Sequence, residues 1–315
     1  MQLGFSNETA SEEVVSRVSW LLSTCALVGV GLVEPSIARG DDSAQPPGKV
    51  PSQSGEDQYY FAVDPVVDGV FIGVGAGFSE MLSLILGTGE IRPTMPADPS
   101  VLLGIDRGAV TQKIDPHANL YSNIGLWTAY GWAVLDPVLS GLRQGPRAML
   151  VDGVIYAEAI TLTWTLTDVT KVAVRRPRPI DYATCASSTT GGCANNTDLQ
   201  LSFFSQHAAD LGAISATATY LAFMRAPARS PRPWITLGVG AALTAFVSYE
   251  RVRSGEHFPT DVIMGSLAGA AVGVLVPHFH RRHYVHEHEI GTAPSWIGFN
   301  PSVNGSGSLT AGWVF

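Results

Sequence analysis

From Phe61 onward the chain falls into six long apolar segments, at 62–87, 119–142, 147–174, 205–225, 232–252 and 259–281, divided by breaks rich in proline and glycine. Their spacing predicts helices, so the expected class is all-α, a six-helix bundle. No internal repeat is found. Charged residues make up only 15% of the 315-residue chain, against about a quarter in ordinary soluble proteins, yet the mean hydropathy is just +0.18. That balance describes either a very apolar soluble protein or a mild membrane protein. A net charge of -8 excludes a general nucleic-acid binder, which needs a basic field, so any anion site must be local.

Before the helices lies an apolar run from Trp20 to Val33, too short to span a bilayer comfortably but suited to the core of a signal peptide. Ala38 and Gly40 supply small residues for cleavage after Gly40. Glu8, Glu12 and Glu13 give the preceding stretch the wrong charge, which is explained if translation starts at Val14 or Val15 and Arg17 is the leading charge. An uncleaved anchor and a helix of a soluble core are the alternatives. The expected organisation is a signal peptide over 1–40, a flexible linker over 41–61, a helical domain over 62–284 and a tail over 285–315. In the tail, asparagine, glycine and serine between aromatic-bearing ends predict a β-hairpin packed on the helical body. The alternation of Leu309, Ala311, Trp313 and Phe315 resembles a closing barrel strand, but two strands make no barrel.

Cations are scarce, yet Lys171, Arg175, Arg176, Arg178, Arg251 and Arg253 crowd two short stretches, "KVAVRRPRP" and "YERVRSGEHFPTD". Helix C-termini attract such charges through their dipoles. That does not account for two histidines beside them, His207 at the opening of the fourth apolar segment and His257 before the sixth. In an up-and-down bundle the end of the third segment, the start of the fourth, the end of the fifth and the start of the sixth all lie at one end. Catalytic residues are therefore expected to cluster there.

Taken in order, Lys171 with Arg178 and Pro179, Ser205 with His207, and Arg251 with His257 and Asp261 form a K-x6-R-P, S-x-H, R-x5-H-x3-D pattern. This pattern resembles the three-part signature of the type 2 phosphatidic acid phosphatase and vanadium haloperoxidase superfamily, over roughly residues 62–284. The resemblance implies a helical bundle that hydrolyses a phosphomonoester or diphosphate, of a lipid or a soluble alcohol, through a phosphohistidine and without a metal or other cofactor. His257 is then the nucleophile and Asp261 its orienting carboxylate. Pro259 opens a helix and brings Asp261 into its first turn. His207 is the general acid. Lys171, Arg178 and Arg251 hold the phosphate oxygens, helped by Ser205 and the backbone N–H of Gln206. A vanadium-dependent haloperoxidase and a non-catalytic anion-binding relic are the alternatives.

Two residues depart from the family's usual pattern. Gln206 stands where glycine is usual, and Glu250 stands where serine is usual, so Glu250 needs a partner such as Arg253 or Arg175. His278, His280, His283, His286 and His288 follow the last segment without clean metal spacing and read as a solvated helix end. Asp64, Asp68 and Glu80 are expected to face solvent or a neighbouring helix. If the signal peptide is removed, Cys185 and Cys193 remain as a pair that would form a disulfide in an oxidising compartment. The expected location is the cell envelope, with the site facing the periplasm or exterior. Acidic residues inside the first three segments favour an exported, membrane-associated bundle over one integral to the inner membrane.

Overall fold

The computed structural model describes residues 59–88, 90–91, 93–94, 98–186, 201–227, 229–283, 296–301 and 307–312. Among these are eight α-helices: α1 Pro65–Gly87, α2 Gly104–Thr111, α3 Ala118–Gln144, α4 Pro146–Val174, α5 Pro179–Ala186, α6 Gln206–Arg225, α7 Arg232–Arg253 and α8 Pro259–His280. Six are the long helices expected from the sequence. The other two, α2 and α5, are single short helices that the sequence reading left as loop.

Local chemistry sets the boundaries. Asp64 caps α1 by accepting from Val66 N and Val67 N at 2.9 and 3.0 Å, and Pro65 opens the helix where no N–H partner is needed. Gly145, at φ +96°, is the single residue joining α3 to α4, and Pro146 restarts the helix at once. Arg175 ends α4 in the left-handed conformation. Gly255, at φ +74°, turns the chain out of α7 toward His257.

Helix α6 runs through the middle, burying Leu211, Ile214 and Leu221 against Ile155 and Tyr156 of α4 and Val247 of α7. It crosses α8 at backbone contact distance. A Cβ at Gly265 would stand 2.6 Å from the Ser205 carbonyl oxygen, and one at Gly269 would overlap the carbonyl of Ala209. A short antiparallel pair, β1 Tyr59–Phe61 with β2 Arg281–His283, ties the start of α1 to the end of α8. The hairpin expected in the tail is present, as β3 Trp296–Pro301 against β4 Gly307–Gly312.

The surface of the bundle is far more apolar than that of an ordinary soluble protein. Val66, Trp234, Val239 and Leu267 are more than half exposed, as are many other large apolar side chains. Acidic residues lie inside and paired: Asp152 takes both guanidinium arms of Arg225, and Asp136 accepts from Tyr156 Oη at 3.0 Å and Arg232 at 3.3 Å. His280 meets Glu158 at 3.3 Å and Asp68 at 3.5 Å, so it is part of the interior and not a solvated helix end. His278 bonds the Tyr220 hydroxyl, and Glu80 is exposed. Helices α1 and α8, and the stretch Pro146–Tyr182 containing α4, are long and apolar enough to cross a membrane. Of the acidic residues that argued against insertion, Asp68, Asp136, Asp152, Glu158 and Asp168 each have a basic side chain beside them, which lowers the cost of burying them in lipid.

Candidate active site

The α4–α5 connection, the N-terminus of α6, the end of α7 and the start of α8 meet at one end of the bundle, as the up-and-down order requires. They bring Lys171, Arg178, Ser205, Gln206, His207, Arg251, His257 and Asp261 together. The resting place of each follows from local structure.

Pro259 is the first residue of α8, and Asp261 in that first turn reaches back to accept from Phe258 N at 2.8 Å. This buries Asp261 completely. Its carboxylate receives Arg176 Nη1 at 2.5 Å and the Ser202 hydroxyl. The other guanidinium arm of Arg176 reaches Asp106 of α2 at 2.9 Å, and its plane lies over the Phe258 ring. Asp106 also accepts from Thr260 N and Oγ1. Helix α2 therefore braces the start of α8, and Tyr182 of α5 packs edge-on against Phe258.

His257 is 3% exposed, and its Nδ1 lies 2.8 Å from the carbonyl oxygen of Ser202. A carbonyl only accepts, so Nδ1 carries the proton and Nε2 of the neutral ring keeps the lone pair. Asp261 stands 3.9 Å from Nδ1, beyond hydrogen-bond reach, and acts on His257 through Ser202, which both residues contact. Burial, then the charges of Arg251 and Arg178, push the His257 pKa well below its ordinary value of 6.5. The ring is neutral at neutral pH.

His207, the second residue of α6, bonds Asn123 Oδ1 through Nε2 at 2.8 Å. One helical turn earlier on α3, Asn119 Oδ1 accepts from Arg251 Nη1 at 2.6 Å. The charges of Arg251, Lys171 and Arg178 are all felt at His207. Lys171 lies 3.8 Å from Asp168, and Ser205 is fully buried as the N-cap of α6. Gln206, the first residue of α6, is half-buried. Glu250 is buried and faces Arg253 at 3.5 Å, one of the two partners expected for it. Cys193 and the side chain of Cys185 lie outside the described residues.

Asn119, Asn123, Arg176, Asp106 and Ser202 were not singled out as site residues from the sequence. The asparagines are spaced four apart at the start of a helix, which is a usable signal. Ser202 offers none, because its backbone carbonyl does the work.

Residues 152–284 match the family model described as the PAP2 superfamily, and all three motif segments fall inside that match. This region belongs to the PAP2 superfamily. No curated protein matches the chain. Among solved structures, a transmembrane PAP2 type phosphatidylglycerolphosphate phosphatase from Bacillus subtilis is 18% identical with a TM-score of 0.41, over 68% of this chain and 94% of that one. LpxE from Aquifex aeolicus is 20% identical with a TM-score of 0.34, over 54% of this chain and 90% of that one. The departures at Gln206 and Glu250 lie inside the PAP2 region.

Proposed function

We propose that this PAP2-superfamily chain is an integral membrane phosphatase that hydrolyses a phosphomonoester or diphosphate, with a lipid as the preferred alcohol, through a phosphohistidine at His257. The observation that best supports this reading is the bond from His257 Nδ1 to the Ser202 carbonyl, which leaves Nε2 as a neutral nucleophile beside Arg178 and Arg251.

In the first step Nε2 of His257 attacks phosphorus while the bond to the leaving oxygen breaks, and that oxygen takes a proton from His207. Dianionic substrate supplies the negative field that lets His207 hold this proton among the cations. Lys171, Arg178, Arg251, Ser205 and the Gln206 N–H stabilise the charge that builds on the equatorial oxygens. Water then attacks the phosphohistidine, gives its proton to His207, and the P–N bond breaks to release phosphate.

Lipid preference is favoured by the apolar exterior and by two apolar flank grooves of about 550 and 860 Å³, one between α1 and α4 and one among α6, α7 and α8. Neither contains a catalytic side chain, so they would hold acyl chains and not the reacting group. Arginines 143, 147, 229, 281 and 282 gather at the end opposite the site and favour the cytoplasmic side. At the catalytic end Arg176 is engaged by Asp106 and Asp261, and Arg253 by Asp115 and Glu250. The site then faces outward.

The test is phosphate release by purified protein from lipid and soluble phosphomonoesters, diphosphates and diesters, with and without a divalent-metal chelator. Vanadate should inhibit competitively, since it is a tetrahedral oxyanion that can become five-coordinate at His257. Bromide oxidation with vanadate and peroxide would favour the haloperoxidase reading, and oxyanion binding without any turnover would favour a relic.

A further inference from the structure

The two arginines expected to hold phosphate already hold an anion. Glu256, the residue just before His257, places Oε2 against Arg178 Nη1 and 3.5 Å from Arg251 Nη2. We propose that Glu256 is an internal competitor that occupies the oxyanion cage at rest and makes the site selective for dianionic over monoanionic phosphate groups. This rests on the phosphatase reading of the same site.

Three observations carry it. The backbone around Glu256 is clamped: Ser254 N bonds Glu250 O at 2.9 Å, and the Gly255 carbonyl accepts from Ile180 N at 3.1 Å. Motion is therefore left to the Glu256 side chain. That side chain is 21% exposed, whereas those of Arg178 and Arg251 are 11% and 7% exposed, so the carboxylate is the most solvent-accessible member of the cage. Finally, Arg251 Nε is buried with no hydrogen-bond partner, so the guanidinium retains donor capacity that a single carboxylate oxygen does not use. A tetrahedral oxyanion has enough acceptors to use it.

The selectivity follows from charge. A carboxylate carries one negative charge, and a diester phosphate also carries one, so exchanging them gains little Coulomb energy at the arginines. A monoester or a terminal phosphate carries about -1.5 to -2 near neutral pH and replaces one charge by nearly two. Glu256 thus raises the threshold for every anion, and monoanions pass it least well.

The experiment compares wild type with Glu256→Gln, which keeps shape and loses charge, and with Glu256→Ala, which removes the group. Equilibrium binding of inorganic phosphate and of dimethyl phosphate is measured on detergent-purified protein, with a melting curve for each variant to confirm folding. Both variants should bind phosphate about tenfold more tightly, and the preference for phosphate over dimethyl phosphate should shrink. In turnover on a phosphomonoester, KM should fall in both variants. Unchanged or weaker phosphate binding in both folded variants would overturn the proposal and make Glu256 a positioning residue for the arginines. Tighter binding with an unchanged dianion preference would overturn the selectivity claim. Binding needs no turnover, so absence of phosphatase activity in wild type would count against the function alone.

Discussion

Nδ1 of His257 donates to the carbonyl oxygen of Ser202 at 2.8 Å, and the same serine gives its hydroxyl to Asp261. A backbone carbonyl cannot be removed by a side-chain substitution, so the tautomer of His257 survives changes at Ser202 and Asp261 better than it would with a direct carboxylate contact. Asp261→Asn is accordingly expected to lower kcat mainly by loosening the start of α8. The check is a parallel loss of thermal stability and of activity across Asp261 variants. A large loss of kcat at unchanged melting temperature would contradict it.

Replacing the nucleophile is the decisive variant for the chemistry. His257→Ala should reduce phosphate release to background and abolish trapped phosphohistidine, and His207→Ala should cost about two to four orders of magnitude for poor leaving groups. Esters with good leaving groups should be less affected by the His207 change. Full turnover in purified His257→Ala would end the mechanism proposed above.

The pH dependence has a definite sign. His257 takes its proton below its ordinary value of 6.5, because burial and then Arg251 and Arg178 oppose the charged ring. The acid limb of kcat/KM belonging to the nucleophile should therefore lie below pH 6.5. Stability follows the same linkage: below pH 6.5 the unfolded chain takes up a proton at this position that the folded chain refuses, so stability falls with pH until the folded ring titrates. A rate profile for phosphohistidine formation, together with melting temperatures from pH 7.5 to 5, checks both parts.

Arg176 contributes through its partners. Arg176→Ala would leave Asp106 and Asp261, both fully buried, without their shared cation, at a cost of about 3–5 kcal/mol. Arg176→Lys should recover only part of this, because one ammonium cannot serve two carboxylates as the two-armed guanidinium does. Unfolding of the three proteins in matched detergent gives the comparison.

The N-terminus discriminates between topologies. If the bundle spans the membrane with its site facing outward, α1, which starts at the end opposite the site, begins on the cytoplasmic side, so residues 1–40 should remain attached. Mass spectrometry finding a mature N-terminus at Asp41 would place that start outside and overturn the proposed orientation.

Much of this molecule could be read in advance because helix periodicity and proline or glycine punctuation are local. The six long helices lie within a few residues of their expected limits, and the largest shift, at the first, came from overlooking Asp64 and Pro65 as cap and opening residue. The short helices α2 and α5 are too brief to show a period, although Pro179 was a legible start. Ordered motifs located the histidines and cations. What they could not convey was pairing between distant segments: Arg176 with Asp106, Asn123 with His207, and Glu256 lying across Arg178 and Arg251. The interior acids could not be weighed from sequence for the same reason, since Asp152 is costly alone and acceptable beside Arg225.

The close passage of α8 over the carbonyls of α6 bears on how such a protein can change. Ser205 and His207 stand at the head of one of these helices, and His257 and Asp261 at the head of the other, so a single glycine-lined pivot fixes the reacting groups. Gly269→Ala should push the two shafts apart, at a cost of about 1–3 kcal/mol in stability and a larger loss in rate. Helix α1, on the flank against α4, carries none of these residues and forms a replaceable jacket beside that pivot. Grafting a different jacket would alter which lipids reach the site while leaving the chemistry in place.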